Sequence, residues 1–312
     1  MRHVIKKSLI YKNYEVTYKC RIGNLTNVEC RIMNEVARSK SSSFCQGAQI
    51  CILLISILFV FTYPVSGEVD PQYKEQLTGL TAKFLTTGFS EEEIQRIFSD
   101  ERVELYPQIL ERRAKGLPYF NKKFGLLTKK SIERGRKVLT DNQDVLVRVE
   151  KSYGVDKEII IAILRVETNF NRYVGKYPIF NSLLTLAIIE NRRSAWAEGE
   201  LAELLRISKN LGKDPLSIKG SWAGAFGMAQ FIPSSYTKYA VDGNGDGTID
   251  LFDFSDAIAS IANYLTSHGW EKNSPEKNWK AVYAYNHCDE YVRAVFAYAR
   301  ALKSGPSRKK QI

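Results

Sequence analysis

The sequence predicts a mostly α-helical protein, and three stretches carry that expectation. Residues 159–164 are apolar on every side, as a buried helix is. Ser90-Glu91-Glu92-Glu93 has the form of a capping box, in which the serine hydroxyl accepts from the amide three residues on and the glutamate reaches back. Ile258, Ile261, Ala262 and Leu265 recur at helical spacing and stop at Gly269, within a helix expected over 255–268.

At the front of the chain, residues 1–67 read as an upstream extension and a secretory leader. An uncharged apolar run at 50–63 follows Arg38 and Lys40 and precedes Val65-Ser66-Gly67, then Glu68 and Asp70. A basic flank, a short apolar core and small residues just before the cut describe a signal peptide, with cleavage near 67/68. The run is shorter than the roughly 20 residues that span a membrane, although an uncleaved anchor helix is the alternative. Met33 begins a leader of ordinary length, which marks 1–32 as upstream sequence. No cysteine stands at the cut, so a lipid anchor is disfavoured. Four of the five cysteines lie in the first 51 residues and Cys288 stands alone, so no intrachain disulfide is expected after cleavage.

The whole chain carries a net charge of +11. Nine of its 45 basic and three of its 34 acidic residues fall in 1–67, leaving +5 downstream. That balance favours anionic partners mildly. It shows no dense basic run interleaved with aromatics, so nucleic acid is not an expected partner.

Residues 68–150 read as a helical accessory domain without site chemistry. The helix opened by Ser90 carries Ile94, Ile97 and Phe98 on its core face, and further segments are expected around Ile109 and from 131 to 139, continuing toward Val149. Residues 151–304 read as the domain that carries the site, and 305–312 as a basic tail. Asp156 is a candidate N-cap for the apolar helix, Asn181 or Ser182 for the helix that follows Pro178, and Ser234 or Ser235 for the one after Pro233. A final helix is expected over 291–302.

Glu167 follows the apolar run at the helical spacing of Ile160, Ile163 and Leu164. A carboxyl there is expected to be partly desolvated, which raises its pKa and prepares a general acid. The alternative is a structural glutamate paired with Arg165 or Arg172. Arg192 and Arg193 beside Trp196 form either a solvated face or a grip on a carboxylate-bearing sugar chain. Gly220, Gly224 and Gly227 imply close backbone approach, and Gln230 between Met228 and Phe231 puts one polar handle in an apolar wall, as binding clefts do. Residues 242–253 nearly complete an EF-hand loop: Asp242, Asn244 and Asp246 offer oxygens, Gly247 makes the turn, and Thr248 offers its carbonyl. The closing position holds Asp253, a methylene short of glutamate, with Asp256 as a second candidate. A polar turn without metal is the other reading.

These segments, in this order, closely resemble the membrane-bound lytic transglycosylase B family of bacterial cell-wall enzymes over roughly residues 73 to 302. The resemblance rests on Val166-Glu167-Thr168, Gly220-Ser221 with Gly224, the run from Gly227 to Tyr236, the loop at 242–253, and Tyr285-Asn286. It implies a lysozyme-like core with a flanking α-helical domain. It also implies cleavage of the MurNAc–GlcNAc β-1,4 bond of peptidoglycan without water, leaving a 1,6-anhydro-MurNAc end. By the same resemblance Glu167 is the catalytic acid and base. Ser221, Gln230, Phe231, Arg192, Arg193, Trp196, Tyr285 and Asn286 then contact substrate. One structural Ca2+ is implied at Asp242, Asn244, Asp246 and Thr248, and the family's longer loop favours Asp256 over Asp253 as the closing ligand. The expected protein is a periplasmic monomer acting on peptidoglycan glycan strands, with cell-wall synthases as further partners. Two alternatives stay open: a lysozyme-like muramidase, and a calcium-stabilised peptidoglycan-binding protein without catalysis. The sequence departs from the family at Asn171, where glycine is usual, and at His287-Cys288, where Asn-Ser is usual.

Overall fold

The computed structural model describes residues 71–112 and 118–304; the expected leader, residues 1–32 and the basic tail lie outside the described residues. The chain begins with α1 (Lys74–Thr86) and α2 (Glu91–Phe98). The capping box is present: Glu93 N donates to Ser90 Oγ at 3.2 Å and Ser90 N to Glu93 Oε2 at 2.8 Å. Around Ile109 stands a single 3-10 turn, Pro107–Ile109, rather than the helix expected there. One helical turn past Ile109 come Arg112 and Arg113, so no second apolar position continues the pattern.

The continuous helix expected toward Val149 is two, α3 (Lys129–Asp141) and α4 (Gln143–Tyr153). Asn142 separates them because its side-chain amide donates to Val138 O at 2.9 Å, offering the backbone an alternative to the helix. Next comes α5 (Lys157–Thr168), buried from Ile159 to Val166. Asp156 does stand at its N-cap, but its carboxylate pairs with Lys303 instead of capping.

A two-residue strand β1 (Tyr177–Pro178) leads into α6 (Ile179–Ile188), every residue of which is buried. That helix starts before Asn181 and Ser182, so neither caps it; the Asn181 amide instead holds Arg102 O at 2.8 Å. Then follow α7 (Ser194–Asn210), β2 (Lys219–Gly220) and α8 (Pro233–Tyr239). Pro233 occupies the first position of α8, where a missing N–H costs nothing. Ser234, expected as its cap, gives its amide and hydroxyl to the buried Glu200 of α7 at 2.9 and 2.7 Å. The last three helices are α9 (Phe254–Ser267), α10 (Pro275–Tyr285) and α11 (Asp289–Lys303).

Helix α5 is the hub, packed by α3, α4, α9 and α11, while α6 lies on α7 and α7 on α8. Its all-round apolar surface is what lets four helices bury against it at once. The strands pair antiparallel, Tyr177 with Gly220 and Pro178 with Lys219, which carries the segment after Gly220 alongside the end of α5. Among the described residues no helix is long and apolar enough to cross a membrane.

Candidate active site

The last turn of α5 ends abruptly. Asn169, Phe170 and Asn171 take φ values of 51°, 60° and 65°, three left-handed residues in succession. Thr168 makes this possible: its hydroxyl accepts from Asn171 N at 3.1 Å and lies 3.3 Å from Met228 O, tying the helix end to the glycine-rich segment. Arg134 of α3 donates to Asn169 Oδ1 at 3.0 Å from the other side. Asn171 is therefore a left-handed residue, and asparagine takes that conformation at lower cost than other non-glycine residues.

Glu167 sits at this terminus, partly exposed, with no ion-pair partner among the described residues. Arg165 points elsewhere, its Nε donating to Ser131 Oγ at 2.8 Å and its Nη2 to Phe124 O at 3.0 Å. Arg172 is exposed and forms no ion pair among the described residues. A structural arginine–glutamate pair is thus not what holds Glu167. Its one hydrogen-bond partner among the described residues is the fully buried Tyr291, whose hydroxyl donates to Oε1 at 2.7 Å. Burial lifts the carboxyl above its ordinary range and the Tyr291 bond partly opposes it, leaving a pKa of about 7. Both protonation states are then accessible near neutrality, as a group that gives and later takes a proton requires.

An aromatic cluster holds Tyr291 in place. Tyr119 meets it edge-on at 5.9 Å between ring centres and Tyr285 stacks on it at 6.4 Å. Tyr285 is anchored by its hydroxyl, which donates to Ala229 O at 2.6 Å. Sequence reasoning found Tyr285 but missed Tyr119 and Tyr291, and no local pattern distinguishes either among the chain's 17 tyrosines.

The 220–231 segment meets the end of α5 at Thr168 and holds Tyr285 through Ala229. Ser221 Oγ accepts from Ala223 N and Ala225 N at 3.3 and 3.0 Å, so this hydroxyl also shapes its own turn. Gln230 is left-handed at φ 51°, and its amide nitrogen bonds Val174 O and Gly227 O at 3.1 and 2.9 Å. Its Oε1 takes no bond from a described residue. Phe231, expected to contact substrate, is only 2 % exposed and packs its ring against Tyr264 and Tyr285. It braces Tyr285 from behind. Asn286 caps the C-terminus of α10, partly exposed, and Cys288 N donates to its carbonyl at 2.6 Å. Arg192 is exposed, whereas Arg193 lies over the Trp222 ring at 5.1 Å, and Trp196 is 36 % exposed. The two arginines are therefore not equivalent: one is exposed and one is stacked.

A cavity of about 570 Å³ opens beside Glu167, between the 123–134 segment and the turn at 168–173. The accessory segment, expected to lack site chemistry, lines it with Lys123, Phe124, Lys130 and Arg134. Glu167 is the one carboxylate among its lining residues.

A family model described as Transglycosylase SLT domain matches residues 72–276. The chain belongs to this transglycosylase family. Membrane-bound lytic murein transglycosylase B of Escherichia coli K12 is 38 % identical to it over an alignment of 198 residues that covers 59 % of this chain and 54 % of that protein. The SLT chain thus spans about half the length of this curated relative. The Escherichia coli lytic transglycosylase SLT35 in complex with calcium superposes with a TM-score of 0.67 at 28 % identity, over 73 % of this chain and 92 % of that one. SltB3 from Pseudomonas aeruginosa in complex with NAG-anhNAM-pentapeptide gives 0.68 at 25 % identity, over 75 % and 80 %. The fold is the mostly helical, lysozyme-like fold of the lytic transglycosylases.

Within this SLT domain the 242–256 loop is held by its own side chains. Asp242 accepts from Gly245 N and Gly247 N at 2.6 and 2.8 Å, Asn244 Oδ1 from Asp246 N at 2.9 Å, and Asp246 Oδ1 from Thr248 N at 2.8 Å. These backbone bonds hold the Asp242 carboxyl below its ordinary range. Asp253 caps α9, accepting from Ser255 N and Asp256 N. Asp256, 1 % exposed, faces back and accepts from Gly243 N and Asp250 N at 2.8 and 2.7 Å. Among the described residues no three acidic, histidine or cysteine side chains gather as a metal cage. The donors themselves, carboxylate and amide oxygens with a glycine turn, are of the hard type that suits calcium rather than zinc.

Proposed function

We propose that this SLT-family chain is a lytic transglycosylase that cleaves the MurNAc–GlcNAc β-1,4 bond of peptidoglycan and closes a 1,6-anhydro-MurNAc end. One observation carries the reading: Glu167 is the one carboxyl lining its cavity, it has no ion-pair partner among the described residues, and burial lifts its pKa to about 7. Most glycosidases need two carboxylates flanking the bond; an intramolecular nucleophile needs one. Glu167 donates its proton to the glycosidic oxygen as the C1–O bond breaks. The sugar's own C6 hydroxyl attacks C1, and the Glu167 carboxylate takes that hydroxyl's proton, which restores the acid. Holding the hydroxyl against C1 replaces encounter with water by an internal attack. Gln230 Oε1, Ser221 and Asn286 position the sugar and its N-acetyl group, Tyr285 forms part of the same wall, and Arg192, Arg193 and Trp196 meet the strand further out.

The experiment that tests this reading is clearing of purified sacculi. The wild-type protein is expected to release soluble fragments; a non-catalytic binding protein would sediment with the sacculi and leave their turbidity unchanged.

The loop fits a structural calcium held by Asp242, Asn244, Asp246, Thr248 and Asp256, and bound there it would supply rigidity to the wall carrying Gln230. A native-state ligand at a hundredfold excess over its Kd stabilises by about 2.7 kcal/mol. Chelation is therefore expected to lower the melting temperature by roughly 5–10 °C, with calcium restoring it more fully than magnesium. Asp242→Ala is expected to abolish that response, and a melting curve unmoved by chelator would leave the loop a polar turn. The leader that begins at Met33 and ends near Gly67 directs the protein to the periplasm, so protein recovered there is expected to begin near Glu68.

A further inference from the structure

Along α10 and the loop before it lie three adjoining cavities of about 360, 400 and 420 Å³. None shares a lining residue with the cavity beside Glu167. They run into one another: Trp279 lines the first and third, Lys280 the first and second, and Trp270 the second and third. The belt they form is preformed. Trp279 stacks on Phe296 of α11, ring centres 6.1 Å apart and planes 5° from parallel. Trp270 gives its indole N–H to Gly154 O at 3.1 Å, and Asn278 Oδ1 accepts from Glu271 N at 2.9 Å, which fixes the loop before α10. One helical turn after Trp279 stands Tyr283, 37 % exposed, and the exposed His287 meets its ring edge-on at 5.4 Å.

The charge balance narrows the ligand. Four basic and three acidic side chains line the three cavities, and Lys277 pairs with Glu271 while Lys280 pairs with Glu276 at 2.7 Å. So nearly balanced a lining exerts no strong pull on a polyanion. What it offers is ring faces edged by small polar groups, Asn273, Ser274 and Asn278 among them. A β-linked pyranose is the complement, with C–H groups on its flat faces and hydroxyl and N-acetyl groups around its rim. Three cavities in a row fit several such units in line, a polymer rather than a single sugar. We infer that this belt is a second glycan-binding surface, separate from the catalytic cavity, which holds a strand of β-1,4-linked N-acetylhexosamines and keeps the protein on the sacculus between cleavages. The choice of this polymer over another neutral glycan rests on the function proposed above.

The four tryptophans allow the two places to be read separately, since Trp270 and Trp279 line the belt and Trp196 and Trp222 do not. Indole N–H resonances of Glu167→Gln protein are followed as the β-1,4-linked hexamer of N-acetylglucosamine is added. The Trp279 signal is expected to shift and saturate, and to require about tenfold more hexamer in a Tyr283→Ala/His287→Ala variant. Added salt should leave the shift unchanged. The Trp196 and Trp222 signals of that variant should match those of its parent, which verifies the fold. With Glu167 restored, the same two substitutions are expected to leave kcat/KM on short soluble glycan fragments unchanged and to lower retention on purified sacculi about tenfold. A Trp279 signal unmoved by the hexamer, or sacculus retention unchanged in the variant, overturns the assignment. Broadening of that signal with protein concentration alone would make the face a contact between copies and overturn it too. Saturable binding at Trp279 by a wild type that clears no sacculi would sink the cleavage reading and uphold this one.

Discussion

Glu167→Gln is expected to lower sacculus cleavage by about 10²–10⁴-fold, the range general acid–base catalysis supplies. Glutamine keeps the size of the side chain and still accepts from the Tyr291 hydroxyl, so the loss is that of the transferable proton. The same variant is expected to be more stable than wild type at alkaline pH. The folded carboxyl titrates near 7, above its ordinary 4.5, so the native state holds the proton that the unfolded chain has released between those values. Below pH 4.5 both states are protonated and the residue is neutral to stability; stability then falls as pH rises through 7 and the charge must be buried. Allowing for its partial exposure, the cost above pH 7 is on the order of 2 kcal/mol. Glutamine removes it. Wild-type kcat/KM should decline as pH rises through about 7, while the variant should lack the fall in stability that Glu167 contributes between about pH 4.5 and 7. Turnover within a factor of a few of wild type would show that Glu167 is not the acid.

Gly175→Ala is expected to be the most disruptive single-methyl change near the site. Gly175 stands at φ +101°, where side chains are strained, and an added Cβ would lie 2.0 Å from the Gly220 carbonyl and 2.6 Å from Ser221 N. Those neighbours are backbone and cannot swing aside as a side chain would. Backbone strain and overpacking each cost about 1–3 kcal/mol, so a loss of roughly 3 kcal/mol and a fall of about 5–10 °C in Tm are expected. Because the displaced atoms belong to β2 and Ser221, activity at permissive temperature should fall as well. A thermal melt within a degree of wild type would mean that Gly175 does not approach the Gly220–Ser221 backbone this closely.

Much of this was legible in the chain itself. The apolar run before Glu167 announced both a buried helix and a desolvated acid, because a carboxylate at the end of such a helix has few ways to stay solvated. Ser90 and Glu93 announced their helix because a capping box is local. What the sequence hid was long-range or sided. Tyr291 reaches Glu167 from 124 residues away, so no window of sequence holds both. Phe231 read as facing the groove, but the left-handed backbone at Gln230 turns it inward, and alternation cannot be followed through such a turn. The basic cavity was invisible because its cations are scattered over 123–172, in stretches that each read as ordinary solvated surface. Asp156, Ser182 and Ser234 failed as caps because tertiary partners or an earlier helix start claimed those positions.

The central claim is that one carboxyl suffices because the substrate supplies its own nucleophile. Digestion of purified sacculi in heavy-oxygen water, followed by mass spectrometry of the released muropeptides, tests it most directly. The expected products carry 1,6-anhydro ends, lighter than reducing ends by one water and free of the heavy isotope. Reducing ends carrying heavy oxygen at C1 would contradict it and make the protein a muramidase that delivers water to the same bond.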